Sequence, residues 1–202
     1  LTLASGLSLG RFAQSGEIDS PRIRIILNPD MPAESFGEWL GERSFRFPVG
    51  LGKHGVTASG KSFQSGFSLL GDFRVNAILS ADRFEMENTL IRESGKSEAW
   101  LRENLFRNMS SIDFDGDGKG NEYGAAFIGL QPVDSDAVQP FHFGEYQGTF
   151  RWYSYAIHGT QNEERIGKCV TGGCVNVGKE KLGELAAQLK LGDRISIRKS
   201  GD

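Results

Sequence analysis

Two cysteines in 202 residues are too few for a disulfide-stapled scaffold, and by themselves they leave the redox compartment open. Excess charge of one sign is just as scarce. Lys and Arg number 23 against 26 Asp and Glu, a net charge of -3, so the chain has no basic footprint for nucleic acid or anionic lipid. No apolar run approaches the ~18 residues that a membrane-spanning helix needs, and no internal repeat is visible. An initiating Met is also missing. The chain opens at Leu1, which fits a signal peptide presumed removed upstream.

Aromatic residues and glycine are abundant: 14 Phe, 4 Tyr, 3 Trp and 27 Gly point to many turns and a β-rich fold. One domain is the default at this length, with roughly 70% of the unfolded chain's surface buried. Residues 1–20 are Ser/Gly-rich and weakly patterned, as in a linker or loosely docked arm, which leaves 21–200 for the folded domain. Within it, Arg22–Leu27, Ser44–Val49 and Phe73–Leu79 alternate apolar with polar side chains as half-buried strands do. Turn signals fill 28–43, and the glycine-rich run 50–71 reads as loop. The aromatic run 150–158 and Asp193–Lys199 read as further strands.

Two helices are expected. Ser97 is placed to cap one through EAWLRENLFRNM, with Leu101, Leu105 and Met109 on one face. The other spans Lys179–Leu191, with Leu182, Leu185 and Leu189 at helical spacing and Gly192 as its stop. The fold class is therefore mainly β with a few helices (α+β), with mixed sheets.

The chemistry-bearing residues lie in the last third. His158 ends the aromatic strand and is followed by Gly159 and Thr160. Sixteen residues on comes Cys174, within Thr171-Gly172-Gly173-Cys174-Val175-Asn176. Paired glycines leave backbone amides unobstructed, as an oxyanion hole requires. A thiol is a weak nucleophile until a neighbouring base takes its proton, and an imidazole does this. Taken singly, these features have ordinary readings as well: a packed cysteine, a hydrogen-bonded strand-end histidine, a tight Gly-Gly turn.

In combination, YAIHGT (155–160), IGK (166–168) and TGGCVNV (171–177), followed by a helix and GDRISI, resemble the L,D-transpeptidase catalytic domain of the YkuD type. The likeness is dense over 150–198. It is fainter upstream, where RSFRFPVGLGKHG and GFSLLGDFRV resemble the groove-forming segments. The resemblance implies that fold, with a segment at about 81–124 inserted as a candidate lid. It implies a cysteine acyltransferase acting on peptidoglycan tetrapeptide stems outside the cytoplasm, in the periplasm or at the cell wall. Cys174 would be the nucleophile, His158 the base, and the Gly159 carbonyl the third member. The amides of Gly173 and Cys174 would form the oxyanion hole. Thr171, Gly172, Asn176 and Tyr155 would line the substrate site, with Asn176 binding the stem carboxylate, ordering the loop or entering the helix. D-Ala would leave and a 3–3 cross-link would form. An L,D-carboxypeptidase using the same pair and a non-catalytic wall-binding module are the alternatives; a sortase would need a catalytic Arg, for which Arg151 and Arg165 exist. Two departures stand out: Gly172 where many relatives have His, and Leu69-Leu70-Gly71-Asp72 in place of the T-P-x-G segment.

No cofactor is required by this chemistry. A structural calcium is nevertheless a candidate, because DFDGDGKGNEYG puts Asp113, Asp115, Asp117 and Gly118 at positions 1, 3, 5 and 6 of an EF-hand-like loop. Position 12 is Gly124 instead of an acid, so Glu122 would have to complete the shell. Cys169 is expected to be a spectator thiol in preference to a disulfide partner of Cys174. Zinc on His142, His158, Cys169 and Cys174 fits no common spacing, and His54 reads as solvated. Nothing in the sequence fixes the oligomeric state.

Overall fold

The computed structural model describes residues 20–58, 64–134, 143–152 and 155–202. The arm expected at 1–20 thus lies outside the described residues except for Ser20, as does His142. The chain opens with strands β1 (Ile23–Leu27), β2 (Phe36–Trp39), β3 (Phe45–Gly52), β4 (Val56–Thr57), β5 (Ser68–Leu69) and β6 (Gly71–Ser80). The central stretch holds β7 (Phe84–Met86), α1 (Asn88–Glu93), α2 (Glu98–Ser110) and β8 (Ala126–Pro132). Then come β9 (Phe143–Tyr146), β10 (Thr149–Trp152), β11 (Tyr155–His158), β12 (Cys169–Thr171), β13 (Val175–Val177), α3 (Lys179–Gln188) and β14 (Arg194–Lys199).

The main sheet runs β12-β3-β13-β11-β8-β6-β14-β1-β2, and β2 also pairs with β3, so the ladder closes on itself. Closure removes the edges within this ring, while β12 and β7 are each paired on one side only. The core inside is mainly aliphatic, built from residues such as Ile23, Ile25, Val49, Val75, Ile128, Ile157 and Ile195, all fully buried, with Trp39, Phe47, Phe73 and Tyr155 among them. Helix α3 adds Leu182, Leu185 and Leu189 to this core, the stripe its spacing predicts. Each such Leu gains ~1.5–3 kcal/mol over an exposed one.

Side-chain alternation decides what faces the other way. In β8, Ala126, Ile128 and Leu130 enter the inner core, while Phe127 points outward into a second apolar cluster. In β11, Tyr155 and Ile157 face in and Ala156 faces out. In β6 a bulge between Val75 and Ala77 shifts the register, so that Ala77 and Leu79 join the outer cluster while Phe73, Val75 and Ile78 remain inside. Asn76 sits at this bulge, fully buried, and neither end of its amide has a hydrogen-bond partner among the described residues.

Residues 81–124, the stretch expected as an insertion, cover the outer face. Ser97 Oγ accepts the Trp100 amide proton at 3.1 Å, starting α2 as the sequence predicts. Leu101, Leu105 and Met109 are fully buried in the outer cluster, with Met86, Leu90 and Trp152.

Four local expectations need correction. The run 150–158 is not one strand. Residues 149–152 form a hairpin with β9, whereas 155–158 belong to the closed sheet, because Tyr155–His158 must lie between β8 and β13. Run 50–71 is not all loop, since β3 extends to Gly52 and β4 pairs with β5. Gly192 is not the stop of α3, whose C-cap is Leu189. It turns the chain into β14 at φ +88°, its amide donating to the Val75 carbonyl. Finally, β2, β7, α1 and β8 fall in stretches to which the sequence reading gave no element. No helix among the described residues is long and apolar enough to cross a membrane.

Candidate active site

The outer face of β11 presents Ala156 and then His158, two residues apart and therefore on the same side. Parallel β13 lies alongside with Ile157 opposite Val175 and His158 opposite Asn176. Cys174, the residue just before β13, therefore falls beside Ala156 and packs against the outer cluster. Cys169 packs against the inner core, its Sγ toward the Pro29 carbonyl. Neither cysteine forms a disulfide among the described residues, and the two pack on opposite faces of the wall.

His158 is held on several sides. Its Nδ1 lies 2.7 Å from the Gly159 carbonyl. A carbonyl only accepts, so Nδ1 carries the proton and Nε2 keeps its lone pair. The Tyr123 ring stands edge-on to the imidazole, with centroids 4.9 Å apart and planes 68° apart. The Phe127 ring lies parallel to it at 6.2 Å. The Gly159 amide in turn donates to the Tyr123 carbonyl at 2.7 Å. A side chain on Gly159 would meet the Gly124 backbone, so the two segments close up only because both are glycine.

Burial sets the resting charge of the pair. It pulls the His158 pKa down to about 4, against the Gly159 hydrogen bond and with help from the Arg165 charge. It pushes the Cys174 thiol up to about 12, against the Ala156 amide that favours thiolate. At neutral pH both groups are uncharged. The thiol must then lose its proton to the imidazole during attack.

The nucleophile turn is fixed by Thr171. Its hydroxyl donates to the Cys174 carbonyl at 2.6 Å and accepts the Gly173 amide at 3.1 Å. This corrects one expectation: the Gly173 amide is engaged by Thr171 and is not aimed at an oxyanion. Thr171, which lines the cavity as expected of a substrate-site residue, also clamps the turn. Gly173 adopts φ +133°, and a Cβ there would sit 2.7 Å from the Phe67 carbonyl. The Gly172 carbonyl accepts the Gly66 amide.

Asn176 is buried inside β13, and its Oδ1 has no partner among the described residues. Gly178 is the N-cap of α3, so the helix-entry role considered for Asn176 is overturned. Tyr155 is mostly core, its ring packed against Phe73, although it also borders the site. A cavity of about 440 Å³ gathers Cys174, His158, Thr171, Gly172, Gly173, Asn176 and Tyr155 with Tyr123, Arg151, Arg165 and Lys53. The segment 81–124 supplies Phe114, Asp115, Glu122 and Tyr123 to its wall, so the stretch expected as a lid borders the site.

Three of the four candidate calcium ligands come together: oxygens of Asp113, Asp115 and Glu122 lie within 4.8 Å of one another. Asp117 is not among them, because its carboxylate accepts the Lys119 amide and pairs with that side chain. Asp113 accepts the amides of Gly116 and Gly118. Glu122, only 4% exposed, pairs with Arg165 at 3.1 Å and accepts from Gln161 at 3.3 Å. Burial raises the Glu122 pKa, opposed by Arg165.

The sequence reading missed Tyr123, Phe127 and Lys53 and left Arg165 without a role in this chemistry. Tyr123 is distant in sequence from His158, and no periodicity links them; the close-approach glycine at 124 was the one local hint.

The family model for the L,D-transpeptidase catalytic domain (YkuD) matches residues 37–197. The chain belongs to that family. Proteins provisionally named L,D-transpeptidase YkuD match over short stretches. That of Bacillus licheniformis is 40% identical over 55 residues, 27% of this chain and 33% of its own. That of Bacillus subtilis is 37% identical over 57 residues, 28% and 35% of the two chains. The match thus spans about a third of these relatives. Among solved structures, L,D-transpeptidase 3 from Mycobacterium tuberculosis aligns with TM-score 0.44 and 10% identity, over 89% of this chain and 61% of that one. An L,D-transpeptidase from Mycobacterium smegmatis gives 0.40 and 13%, over 88% and 59%. Membership rests on the family model.

Proposed function

We propose that this L,D-transpeptidase family member cleaves the bond before the terminal D-Ala of a peptidoglycan tetrapeptide stem and joins the acyl fragment to a neighbouring stem. The observation that carries the reading is the His158 Nδ1 bond to the Gly159 carbonyl, which leaves Nε2 as a base on the same face as Cys174. As Sγ attacks the scissile carbonyl, Nε2 takes the thiol proton. The tetrahedral intermediate collapses with the C–N bond breaking, and Nε2 returns the proton to the departing D-Ala amine. A thioester on Cys174 remains. The amine of a second stem attacks it, loses its proton to Nε2, and releases Cys174 as thiol once that proton is handed on. The product is a 3–3 cross-link.

The rest of the cavity is consistent with this substrate. Lys53 lines it and makes no ion pair among the described residues, so its charge is available to a stem carboxylate. With Gly173 engaged by Thr171, the Cys174 amide is the oxyanion donor we assign. A second hollow of about 720 Å³ shares Asp115, Arg165 and Val170 with the first, which offers room for an acceptor stem. A stem substrate in turn places the protein outside the cytoplasm, at the cell wall.

Product analysis with a disaccharide-tetrapeptide tests this. A cross-linked dimer with released D-Ala is expected. Tripeptide without dimer would assign the chain as an L,D-carboxypeptidase, and an untouched substrate would reject both activities.

A further inference from the structure

Arg165 lies between the catalytic histidine and cysteine in sequence, on a short 3-10 turn (Glu163–Arg165), and its guanidinium reaches two other segments. Nη1 donates to Glu122 Oε2 at 3.1 Å and stands 3.7 Å from Asp115. Nη2 donates to the Val170 carbonyl at 3.2 Å. We propose that Arg165 is a positioning residue that ties the end of the inserted segment to the strand carrying the nucleophile turn, and so fixes the imidazole wall relative to Cys174. The proposal rests on the catalytic reading of Cys174 and His158 given above.

Both ends of this tie stop one residue short of a group that touches the catalytic pair. Glu122 is followed by Tyr123, whose ring packs on His158 and whose carbonyl holds the Gly159 amide. Val170 is followed by Thr171, whose hydroxyl holds the Cys174 carbonyl and the Gly173 amide. A rotation of either segment is therefore passed directly to a reacting side chain. A planar guanidinium serves two acceptors at a fixed angle; a lysine ammonium is a single compact charge on a flexible stem and does not fix that angle.

The tie also explains an unusual loop. The acids at 113, 115 and 122 converge as they would around a bound cation, and Arg165 is the cation placed against two of them. Glu122 is buried enough to require such a partner. The insertion is thereby joined to the active site by a side chain of the catalytic domain.

The test uses the full chain with Arg165→Met, Arg165→Lys and Glu122→Gln, measuring D-Ala release, melting temperature and the rate of Cys174 alkylation by iodoacetamide in a Cys169→Ser background. Positioning predicts that Arg165→Met lowers kcat about 10- to 100-fold with KM nearly unchanged. Arg165→Lys should fall between that variant and wild type, and Glu122→Gln, which keeps a neutral acceptor, should lose less than Arg165→Met. A substrate-binding role would instead raise KM at constant kcat and overturn the proposal.

The pH profile is a second, independent readout. His158 shares its cavity with Arg165, the Cys174 thiol and the Tyr123 phenol, and Glu122 and Asp115 pair with the guanidinium. Loss of the Arg165 charge should move the acid limb of kcat/KM to higher pH, and Arg165→Lys should leave it in place. An unmoved limb in Arg165→Met contradicts the proposal. Alkylation needs no substrate, and it should quicken severalfold in Arg165→Met as the turn loosens; an unchanged rate overturns the tie. If wild type releases no D-Ala while alkylation still responds, the functional reading fails and the positioning role stands.

Discussion

The inner face of the β6–β8–β11 wall is sealed by mainly aliphatic residues drawn from most strands of the main sheet, whereas its outer face mixes aliphatic side chains with aromatic rings around the imidazole, is assembled largely by residues 81–124, and is open at one end. Ile128 and Ile157 point inward; one residue away from each, Phe127 and His158 point outward. A strand's two-residue period thus separates packing from chemistry within single elements. The inner core needs only apolar volume. The outer one must also orient an imidazole, keep it neutral and leave a cavity beside it, and those tasks fall to Tyr123, Phe127 and Arg165.

The sharpest way to break this contrast is to remove the base. His158→Gln keeps a side chain that fits the outer face, yet it should lower kcat by about 10²- to 10⁴-fold, measured by D-Ala release at neutral pH. A loss below tenfold would remove His158 from the chemistry.

A matched pair of cavity variants compares the faces directly. Leu105→Ala in the outer core and Leu185→Ala in the inner core should each cost about 2–5 kcal/mol in denaturant unfolding. Under conditions where both remain folded, only Leu105→Ala should also lower kcat, because only the outer core supports the imidazole. Equal losses of kcat would show that the two cores are not functionally distinct.

The buried neutral imidazole makes stability depend on pH. In the unfolded chain His158 titrates near 6.5, and in the folded protein near 4. Between those values the unfolded state binds a proton that the native state does not, so stability falls as pH falls through that window. The effect reaches at most about 3 kcal/mol and should be absent in His158→Gln. Chemical denaturation of both proteins at pH 7 and pH 4.5 reads the difference.

The smallest expected effect lies at the register switch. Asn76 carries an unpartnered amide in full burial, so Asn76→Leu should stabilise the fold by about 1 kcal/mol, read as a higher denaturation midpoint. A loss of stability would mean that this amide is needed to hold the bulge.

Much of this arrangement is legible in the sequence where the signal is local. Period-two alternation reveals β1, β3, β6 and β14, and leucines at helical spacing reveal α2 and α3. The run from His158 to Cys174 is equally plain, because turn glycines and a strand end are adjacent in the chain. What the sequence hides is non-local. β8 is buried on both faces, so its run of apolar residues shows no alternation. The Tyr123 clamp and the Arg165 tie join residues far apart in the chain. The Gly173 amide looked open for an oxyanion because nothing local shows that Thr171 Oγ1 folds back onto it. Likewise, Asp117 fits a calcium-loop pattern by spacing, yet its carboxylate turns to its own neighbour, Lys119.

The most direct test of the account is intact-protein mass spectrometry after mixing the chain with a tetrapeptide stem, for wild type and Cys174→Ala. The account predicts a tripeptide acyl adduct on wild type, mapped to Cys174 and absent from the variant. An adduct on Cys169, or D-Ala release that persists in Cys174→Ala, would contradict it.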